Sequence, residues 1–179
     1  NTLGVGTMEY KDTALSCVAI GRFALSGSST FNNSPDTGSI AIGTRAGRFN
    51  NANYNTFIGY ESGIGNSTNP LGITGAETVS IGAFSLNRLQ SGASNSTFGY
   101  AALFNNVSGS KNIGIGGFSL YNVNASDNIG IGYSAGTGVT SGANNIFIGN
   151  NAGGNLNVSN KLFIENSNAD KDNALIYGD

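Results

Sequence analysis

Histidine and tryptophan are both missing from this 179-residue chain, and cysteine occurs once, at Cys17. Without an imidazole, neither a Ser-His-Asp nor a Cys-His relay can be assembled, and zinc has no histidine ligand. With a single thiol no internal disulfide can form. Cys17 occupies a repeat slot held elsewhere by Asn, Ser, Thr or Lys, so it reads as a small tolerated side chain rather than a nucleophile. Charge is scarce as well: 8 Lys plus Arg against 10 Asp plus Glu leave a net charge of -2. The scattered cations offer no basic face to a phosphate backbone and do not interleave with aromatics, which excludes nucleic acid as a partner. No apolar run approaches the roughly eighteen residues of a membrane span. The opening NTLGVGTMEYK has neither a basic leader nor a hydrophobic stretch, so no membrane contact is expected from this segment. The chain starts in mid-pattern and stops abruptly at Asp179, as expected of a piece of something longer, with any leader lying outside it.

What the chain has instead is glycine, 28 of them, and a phrase that keeps returning. GSIAIGTRAG, YNTFIGYESG, DNIGIGYSAG and NNIFIGNNAG are four of its copies. The chain is polar without being charged, so it lacks the high net charge of disordered chains, while its spaced Ile and Phe residues offer a core. Aligned on their glycine, the copies fall at Gly6, Gly21, Gly43, Gly59, Gly82, Gly99, Gly116, Gly132 and Gly149, with Glu165 replacing the glycine in a tenth. The period is about sixteen residues. Two enlarged units, near 26–38 and 64–77, break the regularity.

The residue before the glycine is always apolar: Val5, Ile20, Ile42, Ile58, Ile81, Phe98, Ile115, Ile131, Ile148 and Ile164. Two positions earlier the residue is mostly β-branched. Alternation of this kind predicts one short strand per unit with a buried aliphatic pair. The position between the pair reads Gly4, Ala19, Ala41, Phe57, Ser80, Thr97, Gly114, Gly130, Phe147 and Phe163, small or aromatic and never charged. A solvated strand face would collect Lys and Glu, so this column is expected to meet a second copy of the chain. A second short strand or a turn is expected after the glycine, whose recurrence suits a turn with positive φ or a close approach of chains. Asn55, Asn95, Asn112, Asn128 and Asn145, four residues ahead of it, are predicted to bond to local backbone and from coil to coil. A helix would need apolar residues three and four apart. A unit of sixteen cannot bury its apolar edge alone, so stacked units, a β-solenoid, are the predicted fold.

Chemistry is hard to find. Glu61, Glu77 and Asp36 lie in or beside the enlarged units, but nothing fixes a pair of them across a bond, as glycoside cleavage requires. Fragments such as Gly114-Ile115-Gly116-Gly117 lack the spacing and the following helix of a dinucleotide fingerprint. Asp170-Lys171-Asp172-Asn173 brings oxygen ligands together, and calcium is the one metal considered there, but no twelve-residue calcium loop is present and a terminal turn is the plainer reading. The chain is therefore read as non-enzymatic and without a cofactor. The Asn-x-Ser/Thr triplets at Asn66, Asn95, Asn106, Asn124 and Asn157 are expected by chance in so Asn- and Ser-rich a chain. Recognition is placed in the enlarged units, with Phe31, Asn33 and Asp36 in one and Asn66 and Asn69 in the other, because insertions in repeat arrays project as loops. A second candidate is the row Tyr60, Tyr100 and Tyr133, each directly after a repeat glycine.

The phrases SIAIG, TVSIG and NIFIG, followed by x-x-Ala/Ser, resemble the YadA-like head repeats of trimeric autotransporter adhesins, over nearly the whole chain from Thr2 to Ser167. The looser period with long Asn/Ser/Gly turns also looks like repeat regions of large Bacteroidetes surface proteins and phage tail fibres. The resemblance implies an all-β, left-handed parallel β-roll over residues 1–168, assembled as a homotrimer. Residues 169–179 would form a terminal turn or the start of the next fibre region. Ile20, Ile42, Ile58, Ile81, Ile115, Ile131 and Ile148 would be core, and Gly21, Gly43, Gly59, Gly82, Gly99, Gly116, Gly132 and Gly149 would turn the coil. It further implies an extracellular location, on a bacterial surface or a tail fibre, and attachment to a host-cell or prey-cell surface glycan or protein. The alternative is a structural spacer of a phage-like fibre with no ligand of its own. The units here are longer than the family's compact fourteen-residue coil.

Overall fold

A computed structural model describes residues 2–3, 16–27, 37–65, 72–167 and 176–178. These residues contain strands and turns and no helix. The strands are β1 (Thr2–Leu3), β2 (Val18–Ile20), β3 (Ile40–Ile42), β4 (Thr56–Ile58), β5 (Val79–Ile81), β6 (Ser96–Phe98), β7 (Ile113–Ile115), β8 (Ile129–Ile131), β9 (Ile146–Ile148), β10 (Leu162–Ile164) and β11 (Ile176–Gly178). Each of β2 to β9 ends on the residue before a repeat glycine. All eleven form one sheet in chain order. β1 to β10 pair parallel. From β2 to β10 like columns are opposed, as in Ile113↔Ile129 and Ile115↔Ile131, whereas Leu3 of β1 lies opposite Ile20, two residues from the register of the repeat. β11 turns back and pairs antiparallel with β10. Parallel neighbours that follow one another in sequence without a crossover helix make a β-solenoid, one strand to each coil.

The rest of each coil is held by the same kind of bond, running to the next coil. The glycine N–H donates to the carbonyl one coil back, as Gly43 does to Ile20 (2.8 Å) and Gly132 to Ile115 (2.7 Å). The segment after the glycine is a turn, closed for example by Ala135 N–H donating to the Gly132 carbonyl at 3.3 Å. A Cβ on Gly43, at φ +132°, would sit 2.5 Å from the Gly59 carbonyl oxygen, so the column is closed to every other residue while the coils keep this spacing. Two residues further on, non-glycine side chains accept the left-handed conformation: Phe23, Arg45, Glu61, Phe84, Ala101 and Phe118 have φ between 52° and 59°. Such a residue costs about 1–2 kcal/mol. The N–H of each one from Arg45 onward donates to the coil before, as Phe84 does to Tyr60 (2.9 Å) and Phe118 to Tyr100 (2.9 Å), which offsets the cost.

The predicted direction of the strand faces is reversed. The central residue of every strand from β2 to β10 is buried, and its two neighbours, mostly aliphatic, are half-buried or exposed. Ile20, Ile42, Ile115, Ile131 and Ile148, expected in the core, are exposed, and Ile58 and Ile81 are half-buried. The neutral central column expected to meet a sister molecule is the lumen of the coil. The physical reason is size. The lumen is shared between the central strand residue and the residue four after the glycine, and the two columns compensate. Phe57 lies between Gly47 and Gly63, and Phe147 between Gly136 and Gly153; a Cβ on Gly136 would be 2.8 Å from the Phe147 ring. Conversely Leu103 and Leu120 each reach over a glycine in the next strand: a Cβ on Gly130 would lie 2.8 Å from Leu120 Cγ. Packing at this density leaves no room for an aliphatic pair as well.

Polar groups inside the coil are bonded in ladders. Asn55, Asn95, Asn112, Asn128 and Asn145 are fully buried. From Asn95 onward each Oδ1 accepts from the next rung, whose Nδ2 donates at 3.2, 3.3 and 2.9 Å and whose backbone N–H donates at 3.0, 3.0 and 3.1 Å. The same Nδ2 groups donate to carbonyls across the coil, among them Gly142 (3.0 Å) and Val158 (2.6 Å). The predicted coil-to-coil bonding is therefore present, and it meets the requirement that buried polar groups be paired. Where the column changes residue, Ser39 Oγ accepts from Asn55 N–H (3.1 Å) and Thr78 Oγ1 from Asn95 N–H (3.4 Å). Cys17, in the same column, is buried with the core.

Candidate functional site

Two surfaces stand out, and both follow from the register. The first is the outward face of the strands. With the central column turned inward, the flanking columns line up as two mainly aliphatic rows, among them Ile113 and Ile115, Ile129 and Ile131, Ile146 and Ile148, with Thr56 and Ser96 interrupting the first row and Phe98 standing in the second. Ile115 is 42% exposed and Ile131 37%, large values for aliphatic side chains in the middle of a sheet.

The second is aromatic. Tyr60, Tyr100 and Tyr133 follow the glycine of every second coil, and Phe84 and Phe118 stand two residues after the glycine in the coils between. Their rings interlock edge to face along the stack: Tyr60–Phe84 at 5.2 Å, Phe84–Tyr100 at 5.8 Å, Tyr100–Phe118 at 5.3 Å and Phe118–Tyr133 at 5.8 Å. Edge-to-face pairs of this kind contribute about 0.5–1.5 kcal/mol each. The tyrosines remain open, 45%, 52% and 56% exposed in chain order. The predicted row is thus real, but two of its five members were not foreseen. Beside it Phe104 stacks on Tyr121 at 5.2 Å, and Tyr121 touches Phe118 at 5.7 Å. Phe84, Tyr100, Phe118, Phe104 and Tyr121, with Glu61 and Asn87, line a groove of about 350 Å³ beside the middle of the strip.

Charge near the strip is already paired. Arg45 Nη1 donates to Glu61 Oε1 at 2.6 Å, and this hydrogen bond raises the Arg45 pKa above its ordinary value. Glu77 stands five residues ahead of its repeat glycine and Glu61 two after its own, so the candidate acids occupy different corners of the coil. A second groove, about 660 Å³, is lined by Arg48, Phe49, Asn87, Arg88 and Gln90 among others. Its arginines lie over rings: Arg48 is 4.6 Å from the Phe49 centroid and 5.3 Å from Phe23, and Arg88 is 5.7 Å from Phe104.

Phe31, Asn33, Asp36, Asn66 and Asn69, the candidates in the enlarged units, lie outside the described residues, as do Asp170 and Asp172. Among the described residues no group of three His, Cys, Asp or Glu side chains could hold a metal ion, and no helix is long and apolar enough to cross a membrane. Asn95 and Asn106 are fully buried, whereas Asn124 and Asn157 are exposed and use Oδ1 to cap backbone N–H groups of the coil before. No protein-family model, curated protein or solved structure matches the chain.

Proposed function

We propose that this chain is a non-enzymatic, rigid segment of an extracellular adhesin or receptor-binding fibre, on a bacterial surface or a phage-like tail. In this reading three copies of a left-handed coil lie side by side and present their loops and aromatic strips in threefold repetition. The observation that carries it is the double aliphatic row on the outward strand face. A mainly apolar face on successive coils, here continuous from Ile113 to Ile148, is a liability in isolation and a ready interface between copies. Threefold display then lets weak individual contacts add as avidity. The reading of the chain as a fibre segment rests on the resemblance to adhesin head repeats, and the corrected face direction supplies the surface that such an assembly needs.

The test is direct. Sedimentation equilibrium of the purified segment should give three times the chain mass, and an array of glycans and matrix proteins probed with that species should give saturable binding to at least one class. A folded monomer that binds nothing on the array contradicts the proposal. The alternative, a spacer without a ligand, is favoured by the unbroken register from β2 to β10. It expects the trimer without array binding.

A further inference from the structure

The aromatic strip has a period, and the period belongs to a recognisable ligand. Successive strands of a parallel sheet are about 4.8 Å apart, so the exposed tyrosines, one per two coils, recur at ~9.6 Å along the fibre. That is close to the length of one disaccharide in an extended β-1,4-linked glycan. In such a chain each pyranose is turned over relative to the last, so equivalent apolar C–H faces recur once per disaccharide, in step with Tyr60, Tyr100 and Tyr133. Strongly bent α-1,4-linked chains do not keep that step.

Charge complementarity points the same way. Glu61 is neutralised by Arg45 at 2.6 Å, which leaves the strip without net charge from this pair, and the groove beside Tyr100 offers the Tyr100 and Tyr121 hydroxyls, one carboxylate edge and the Asn87 amide. Those are donors and acceptors for sugar hydroxyls, set among rings that stack on sugar faces, the usual mixture of a concave site with an apolar floor and a few polar groups. Edge-to-face contact with Phe84 and Phe118 fixes the tyrosines, so little rotamer entropy is lost on binding.

We propose that the strip from Tyr60 to Tyr133 binds an uncharged, extended β-1,4-linked polysaccharide of glucose or N-acetylglucosamine type, lying parallel to the solenoid axis. The proposal rests on the adhesive reading above and names its ligand class.

Titration of the intact segment with cellohexaose, chitohexaose and maltohexaose tests it. At least one of the two β-1,4 hexasaccharides should bind and maltohexaose should not. Tyr100→Ala should weaken that binding about tenfold, the loss of one stacked ring, while Tyr100→Phe keeps most of it. Far-ultraviolet circular dichroism and sedimentation of both variants should match the parent. Failure of both β-1,4 hexasaccharides to bind, equal binding of maltohexaose, or undiminished binding by Tyr100→Ala overturns the inference. So does a change of oligomeric state in Tyr100→Ala, which would assign the strip to the contact between copies. If these results come with saturable array binding to another class, the adhesive reading stands and only the ligand assignment fails; with no array binding, both fail.

Discussion

Consider Leu103 and Gly114, which share one layer of the lumen. Leu103 is fully buried and its Cδ1 occupies the space that a Cβ on Gly114 would need. Leu103→Ala should cost about 2–5 kcal/mol, the usual range for a buried leucine whose surroundings collapse only in part. In a stack tied coil to coil by backbone bonds, collapse is limited, which favours the upper half. Gly114→Val alone should cost about 1–3 kcal/mol by overpacking against Leu103. Its φ is not in the left-handed region, and β-branching suits a strand, so no backbone penalty is added. Made together, the valine grows into the space the leucine vacated. The double variant should then lose less than Leu103→Ala does alone, with a coupling of about 1–3 kcal/mol. Urea unfolding followed by circular dichroism measures all four proteins, using midpoints at a common slope. Effects that add within about 0.5 kcal/mol would refute the shared lumen and, with it, the inward direction of the central column.

Further expectations follow from the ladders and columns. Asn128→Ala removes the acceptor for Asn145 N–H and Nδ2 and leaves buried donors unpaired, so it should cost about 2–3 kcal/mol in the same urea assay, while Asn124→Ala at the surface costs under about 1. Gly132→Ala would place a Cβ 2.5 Å from the Gly149 carbonyl carbon at φ +133°; it should destabilise by more than about 3 kcal/mol or prevent accumulation of folded protein, against at most about 1 kcal/mol from Ala143→Gly at a half-buried loop position. Cys17 should react with a thiol reagent at least about a hundredfold faster in 8 M urea than in buffer, because it is 7% exposed in the fold; equal rates would show that its coil is open.

Much of this architecture is legible in the residues. The phrase period places each strand from β2 to β10, and the glycine and asparagine columns announce the turn and the ladder. Strand direction is not legible from alternation, because a period of two has no sign: the same pattern serves a core of isoleucines or a surface of them. The information was present in a different comparison. Leu25 precedes Ala41, Leu103 precedes Gly114 and Leu120 precedes Gly130, whereas Phe57 and Phe147 are bracketed by Gly47 with Gly63 and Gly136 with Gly153. Only two columns that share a cavity compensate in volume. The central column does lack charge, and solvent exclusion by the coil's own turn explains that without a neighbour. Tyr60, Tyr100 and Tyr133 were visible as a row because they share one position. Phe84 and Phe118 were missed because they sit one residue later, where the left-handed turn brings them level with their neighbours. Arg45 and Glu61 share that later position in consecutive coils, a spacing that marks an ion pair once the stack is known.

The flanking columns, and not the central one, face outward, and they are the surface through which the proposed threefold assembly would form. Disulfide cross-linking along β5 measures this in a Cys17→Ser background, with Val79→Cys, Ser80→Cys and Ile81→Cys made singly. In a closed threefold assembly equivalent residues approach one another near the axis. Val79→Cys or Ile81→Cys should yield covalently linked chains under mild oxidation, and Ser80→Cys should not. Cross-linking through Ser80→Cys with none through its neighbours would contradict the account outright.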